Sequence, residues 1–224
     1  CSLIESAELM SYYERGDWRP YTHDELLDVL TACLLETPEY CRVTRVIRDI
    51  PGTDIVDGNK LTNFRELAER TLAERGEASR DIRAREIRQA AVQREELELR
   101  QTEYSTSAGT EIFLQFVTPD DKIAAFLRLS LPSEPIPMPE AQYSAMIREV
   151  HVYGRLVEIG ARDDGRSQHL GLGRELIEEA KQLAAADGFD RLAVISSVGT
   201  RAYYRSLGFE DGDLYQQIDC GEGA

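Results

Sequence analysis

Apolar residues recur at helical spacing between Leu172 and Ala186. Leu172, Leu176, Ile177, Ala180 and Leu183 fall on one stripe, which predicts a long helix with one buried face. Upstream, Glu111 to Val117 and Lys122 to Ser130 are two apolar, β-rich runs joined by Thr118-Pro119-Asp120-Asp121, the pattern of an antiparallel hairpin. Met146 to Tyr153 predicts the next strand, with Arg155 to Ile159 a candidate extension beyond Gly154. Four prolines in Leu131 to Glu140 mark a loop. After the long helix come a strand over Arg191 to Ser196, a short helix over Arg201 to Leu207 with Thr200 as its cap, and a last strand near Phe209 to Ile218.

The first third alternates differently. Ser6 to Gly16 predicts a short helix ending at its glycine. Thr22 with Glu25 forms a capping box ahead of a helix carrying Leu26, Leu27, Leu30, Ala32 and Leu35, closed by Thr37-Pro38. Tyr40 to Ile47, rich in Val and Ile, predicts a strand. Asn63 is placed to cap a helix from Phe64 to Arg75, with Gly76 after it. Helix, strand and helix in this order suit the end of an α/β unit.

Composition narrows the classes. The 224 residues carry 26 basic and 41 acidic side chains, a formal net charge of −15. Only Lys60, Lys122 and Lys181 are lysines, so arginine supplies nearly all positive charge. Such a surface suits high salt or a basic partner, and its overall field repels phosphates. No apolar run has membrane-spanning length, and the N-terminus lacks a signal-peptide pattern, which predicts a soluble, cytoplasmic protein without membrane partners. The chain opens on Cys1, as a fragment of a longer protein would. Cys1, Cys33, Cys41 and Cys220 are scattered, so neither a zinc site nor a disulfide framework is expected.

Candidate chemistry concentrates just before the long helix. Gln168-His169-Leu170-Gly171-Leu172-Gly173 places two glycines where the backbone can approach a ligand closely. The first amides of a helix have no intrahelical acceptor and sit at the positive end of its dipole, a site suited to a pyrophosphate. Glycines before a helix are also ordinary turn residues, so the pair alone decides nothing. A second cluster lies earlier, where Arg42, Arg45 and Arg48, then Arg80, Arg83, Arg85 and Arg88, make locally basic stretches in an acidic protein. These guanidiniums suit phosphate contacts, or equally ion pairs with the surrounding carboxylates.

From Glu111 to Ile218 the order of elements resembles the GNAT acetyltransferase fold, a mixed, splayed β-sheet flanked by helices. Gln168, Gly171 and Gly173 match its cofactor loop, Gln/Arg-x-x-Gly-x-Gly/Ala. Tyr203-Tyr204-Arg205-Ser206-Leu207-Gly208-Phe209 matches its later tyrosine motif. Arg148-Glu149-Val150-His151-Val152-Tyr153-Gly154 and Ala193 to Arg201 further resemble the catalytic-subunit family of Elongator, the tRNA wobble-uridine acetyltransferases. Arg48-Asp49-Ile50-Pro51, Asn63 to Leu67 and Arg80-Asp81-Ile82-Arg83 resemble the C-terminal part of its radical-SAM region and a linker. The domains implied are 1–90, the end of that region with the linker, and 91–220, the GNAT domain.

The resemblance implies an acetyl-CoA site. The pyrophosphate would lie on the amides of Leu172, Gly173 and Arg174, beside Gln168 and Gly171. The pantetheine arm would run along Glu149, Val150, His151 and Val152 as an added strand. Either Tyr204 or Tyr203 would serve as the acid for the leaving thiolate, with the family match favouring Tyr204. The same resemblance implies tRNA as partner, with Arg42, Arg45, Arg80, Arg83 and Arg85 on its phosphates, and leaves a homodimer open. In the family an N-terminal radical-SAM half, with a 4Fe-4S cluster and S-adenosylmethionine, is expected to abstract hydrogen from the acetyl methyl group and join that carbon to the uridine. Its Cys-x-x-x-Cys-x-x-Cys motif does not occur in this sequence, and Ser79, Asp81 and Ala84 stand where some relatives have cysteines, so no metal site is expected here. A conventional lysine acetyltransferase and a non-catalytic scaffold module are the alternatives.

Overall fold

The computed structural model describes residues 2–46, 50–88, 92–153 and 171–221. The chain forms two compact units, Cys1–Arg85 and Glu86–Ala224.

In the first unit, β1 (Leu3–Ile4) precedes the short helix α1 (Leu9–Glu14), which ends before Gly16 at φ +75°. Next is α2 (His23–Glu36). Its expected capping box is present: Glu25 N–H donates to Thr22 Oγ1 at 3.3 Å and Thr22 N–H donates to the Glu25 carboxylate at 2.8 Å. After β2 (Ile55–Asp57), antiparallel to β1, comes α3 (Phe64–Glu74). Asn63 occupies the cap position of α3, but its side chain makes no capping hydrogen bond. The two longer helices pack through Leu34, Ala68 and Leu72, with Leu27 and Leu30 at the margin. The unit ends on the single turn α4 (Ile82–Arg85).

One expectation fails here. Residues 40–46 of the predicted Tyr40 to Ile47 strand form no strand, and Ile47, Arg48 and Asp49 lie outside the described residues. Val43 instead gives its N–H to the Asp81 carboxylate at 3.1 Å and its carbonyl accepts from Arg65 at 2.8 Å. The carbonyls of Cys41 and Thr44 accept from Ile82 N–H and the Arg83 guanidinium. Distant partners, most of them side chains, satisfy this backbone, so its β propensity never meets a neighbouring strand.

The second unit holds one seven-stranded sheet in the order β3–β4–β5–β6–β7–β9–β8. Its strands are β3 (Glu98–Thr106), β4 (Gly109–Val117), β5 (Ile123–Pro132), β6 (Ala145–Val152), β7 (Arg191–Val194), β8 (Glu210–Asp211) and β9 (Gln216–Asp219). All neighbours are antiparallel except β6 and β7. The β4–β5 hairpin turns where expected, with Asp121 at φ +63° and Thr118 N–H donating to the Lys122 carbonyl. Strand β3 was not anticipated from the sequence. It is an edge strand with seven of nine side chains polar, so it lacks an apolar alternation to read.

The long helix α5 spans Leu172–Ala186, the bounds expected. Leu172, Leu176, Ile177, Ala180 and Ala184 are buried, while Leu183 is half-buried at the edge of the stripe. Each fully buried leucine there contributes about 1.5–3 kcal/mol of transfer free energy. The expected strand Phe209 to Ile218 is broken into β8 and β9, because the turn between them wraps the Glu140 carboxylate. Leu214 and Tyr215 donate their N–H groups to it at 3.0 and 3.3 Å. Helix α6 (Arg201–Ser206) sits between β7 and β8 in sequence. Thr200 is at its cap position without a capping bond, and donates its hydroxyl to the Ser197 carbonyl.

Candidate acetyl-CoA site

The parallel pair is the unusual part of the sheet. Strand β6 is registered with β7 only at Ala145, Met146 and Ile147, yet it continues against β5 as far as Val152. From Arg148 to Val152, the edge turned away from β5 therefore has no strand partner among the described residues. Its backbone groups face a splay between β6 and β7, open to an extended ligand carrying amides. Glu149, Val150, His151 and Val152, the four residues expected to meet the pantetheine arm, all lie on this stretch.

Helix α5 begins at the mouth of that splay. Gly171 is its cap residue, at φ +73°, a left-handed conformation that glycine adopts without strain. The Arg174 and Glu175 amides donate to the Gly171 carbonyl at 2.9 and 3.1 Å. Among the described residues this leaves the amides of Leu172 and Gly173 without an acceptor, as the unspent donors of the first turn. The Arg174 guanidinium is exposed and has no carboxylate partner among the described residues. Two unspent amides, a helix dipole and one exposed guanidinium converge there, an arrangement that attracts a phosphate. Gln168 and His169 of the expected loop lie outside the described residues.

Gly173 faces the splay. A side chain there would stand 2.9 Å from Tyr203 Oη and 3.5 Å from Val152 Cγ2. Tyr203, 41 % exposed, thus reaches from α6 to the first turn of α5. Tyr204, 7 % exposed, packs edge-on against Phe209 with centroids 5.3 Å apart. Burial, with Tyr203 adding a smaller effect, pushes the Tyr204 phenol up to about 12. Its hydroxyl has no hydrogen-bond partner among the described residues. Burial also raises the Tyr203 phenol, with Arg174 opposing. The two tyrosines thus occupy different surroundings, one at the helix terminus and one in an apolar wall.

The β6 side chains join a network across the sheet. Tyr104 donates its hydroxyl to Glu111 at 2.6 Å and accepts from Arg128 at 2.7 Å. Arg148 reaches the other Glu111 oxygen at 3.3 Å, and Glu149 lies 3.8 Å from Arg128. Burial, then the Glu111 contact, raises the Tyr104 phenol to about 12. His151 is exposed, with its ring stacked on Phe126 at 5.8 Å and beside Tyr153 at 4.4 Å. Tyr153 in turn donates its hydroxyl to Glu86 at 3.0 Å.

In the first unit, Arg42, Arg45, Arg80 and Arg83 are exposed and Arg85 is buried at 3 % exposure. Arg80 pairs with Glu39 at 2.7 Å, and Arg83 holds the Thr44 carbonyl at 2.8 Å. The loop bearing Arg42 and Arg45 is pinned from beneath by the buried Asp81. That carboxylate pairs with Arg65 at 2.6 Å and accepts from Ser79 Oγ at 2.9 Å. The sequence marked Asp81 within the Arg80-Asp81-Ile82-Arg83 stretch and where some relatives have a cysteine, but not as a partner of Arg65; that ion pair spans 16 positions and has no local signature.

The fold and the splayed site define the class. The sequence profile of the acetyltransferase (GNAT) family matches residues 80–209, and that of the radical-SAM C-terminal domain matches residues 1–74. The chain belongs to the GNAT acetyltransferase family.

Particular relatives sharpen this. It is 38 % identical over 215 residues to the tRNA uridine(34) acetyltransferase of Dehalococcoides mccartyi, covering 93 % of this chain and 47 % of that protein. It is 35 % identical over 226 residues to the protein of the same name from Methanocaldococcus jannaschii, covering 96 % and 41 %. The solved structure of the archaeal Methanocaldococcus infernus Elp3 with an N-terminal deletion superposes with a TM-score of 0.86 at 34 % identity, covering 98 % of this chain and 54 % of that one. The chain thus spans about half of the length of the relatives it matches, or less.

Proposed function

We propose that the second unit is the acetyl-CoA-binding acyltransferase module of a tRNA wobble-uridine modifying enzyme. The observation carrying this reading is the edge of β6 that has no strand partner among the described residues, ending beside amides of α5 that have no acceptor among them. Leu172 and Gly173 amides, with Arg174, would hold the pyrophosphate. The β6 backbone from Glu149 to Val152 would take the pantetheine amides. Acetyl-CoA supplies an activated acetyl thioester when bound. The Tyr204 phenol stays protonated far above neutral pH, so it can give its proton to the departing thiolate sulfur. Tyr203, reaching Gly173, suits a hydrogen bond nearer the phosphate end.

The tRNA partner is supported by the names of the relatives and by the exposed arginines of the first unit. Arg42, Arg45, Arg80 and Arg83 are the surface candidates; Arg85, 3 % exposed and 3.9 Å from Glu39, is too buried to meet a phosphate as the chain stands. In the relatives' longer chains, a radical-SAM half preceding residues 1–74 would supply the 4Fe-4S cluster and S-adenosylmethionine, whose ligands lie outside this sequence.

The test is calorimetric titration of the chain with acetyl-CoA, followed by acetyl-CoA hydrolysis with and without tRNA or a lysine-bearing peptide. Binding plus tRNA-stimulated hydrolysis supports the reading. Acetyl transfer to the peptide without a tRNA effect favours a conventional lysine acetyltransferase. A folded chain that does not bind acetyl-CoA contradicts it and leaves a scaffold role.

A further inference from the structure

The first turn of α5 carries a carboxylate, Glu175, where the proposed site needs to attract phosphate. An uncompensated negative charge beside an anion site repels the ligand. Here Glu175 is covered by Arg94, from the single 3₁₀ turn before β3. Arg94 Nε lies 3.2 and 3.1 Å from the two carboxylate oxygens, and Nη2 lies 2.7 Å from one of them. Nη1 donates to the Leu97 carbonyl at 3.0 Å, and the guanidinium sits 4.6 Å above the Phe116 ring. The arginine is therefore fixed by three partners: Glu175 on α5, Phe116 on β4, and the Leu97 carbonyl in the link to β3. Its planar fork suits this role in a way a lysine ammonium would not.

We propose that Arg94 is a positioning residue for the cofactor phosphates: it neutralises Glu175 and ties the first turn of α5 to β4, so the Leu172 and Gly173 amides present a net positive terminus. This rests on the acetyl-CoA reading of the site. Neither residue needs to touch the ligand. The second contact, with the Phe116 ring, fixes the guanidinium independently of the carboxylate, so the pair holds its geometry at partial exposure. Both side chains are over a third exposed, so the electrostatic effect is screened and modest.

The experiment compares wild type, Arg94→Met, Glu175→Gln and the double variant. Each is measured for dissociation constants of acetyl-CoA and of S-acetylpantetheine, which lacks phosphates. Arg94→Met is expected to weaken acetyl-CoA binding about fivefold, the scale of a partly screened charge interaction, and to leave S-acetylpantetheine unchanged. The double variant is expected to recover most of the acetyl-CoA affinity, because the repelling carboxylate is gone. High salt should shrink the Arg94→Met effect. Equal weakening for both ligands, or no recovery in the double variant, would show a purely structural role and overturn the proposal. If wild type binds S-acetylpantetheine but gains nothing from the phosphates of acetyl-CoA, the anion-site reading itself fails.

Discussion

Replacing Gly173 with alanine separates binding from stability at one position. Gly173 has ordinary helical geometry, so an alanine there carries no backbone strain. In a helix interior alanine is favoured over glycine by about 1 kcal/mol. The new methyl would stand 2.9 Å from Tyr203 Oη, the far end of a half-exposed side chain that can give way. Stability should therefore hold or rise, by at most a few degrees in melting temperature. Binding should move the other way. The methyl occupies the approach to the Leu172 and Gly173 amides, and a lost hydrogen bond to a charged group costs about 1.5–3 kcal/mol. Acetyl-CoA affinity should fall at least about tenfold. Gly171→Ala is the contrast: its φ of +73° imposes strain of about 1–2 kcal/mol, with no atom of the described residues within 4 Å of the new methyl. It should lower the melting temperature more than it lowers affinity. Calorimetry and thermal unfolding on both variants check this. A folded Gly173→Ala protein with wild-type affinity would refute the placement of the phosphates.

Further expectations follow from other contacts. Tyr204→Phe should lower the rate of acetyl-CoA hydrolysis at unchanged KM, whereas Tyr203→Phe should chiefly raise KM; steady-state kinetics on both decides. Because the folded Tyr204 phenol titrates near 12 against about 10 unfolded, its contribution to stability is complete below pH 10 and is lost as pH rises toward 12. Urea unfolding at pH 9 and 11 should show that loss in wild type and a smaller one in Tyr204→Phe. Asp81→Ala leaves Arg65 paired with Glu69 but takes the acceptor from Val43 N–H and from the buried Ser79 hydroxyl, and should cost about 1–3 kcal/mol in urea unfolding. Arg42→Ala and Arg45→Ala should each flatten the salt dependence of tRNA binding, by about one unit of slope where the residue meets a phosphate.

The legibility of this chain followed the range of its interactions. The bounds of α5, the Thr22–Glu25 capping box and the β4–β5 hairpin are set by residues a few positions apart, and the sequence predicted all three. Strand β3 depends on β4 for its hydrogen bonds and carries mostly polar side chains, so nothing local announced it. The segment 40–46 shows the converse, strong β propensity overridden by Asp81, Arg65 and Arg83. At the site, the glycines and tyrosines were visible as motif residues. The splay that gives them meaning was not, because it is the place where pairing of β6 with β7 stops. Likewise Arg94 and Glu175 lie 81 positions apart and meet only in the fold.

If the β6 edge that lacks a strand partner among the described residues and the first turn of α5 hold acetyl-CoA together, amide hydrogen exchange on the whole chain, with and without acetyl-CoA, will register both at once. Protection should appear at residues 149–152 and at Leu172 and Gly173, and the α2–α3 helices should be unchanged. Protection confined to other segments, or none at saturating acetyl-CoA, would contradict the account.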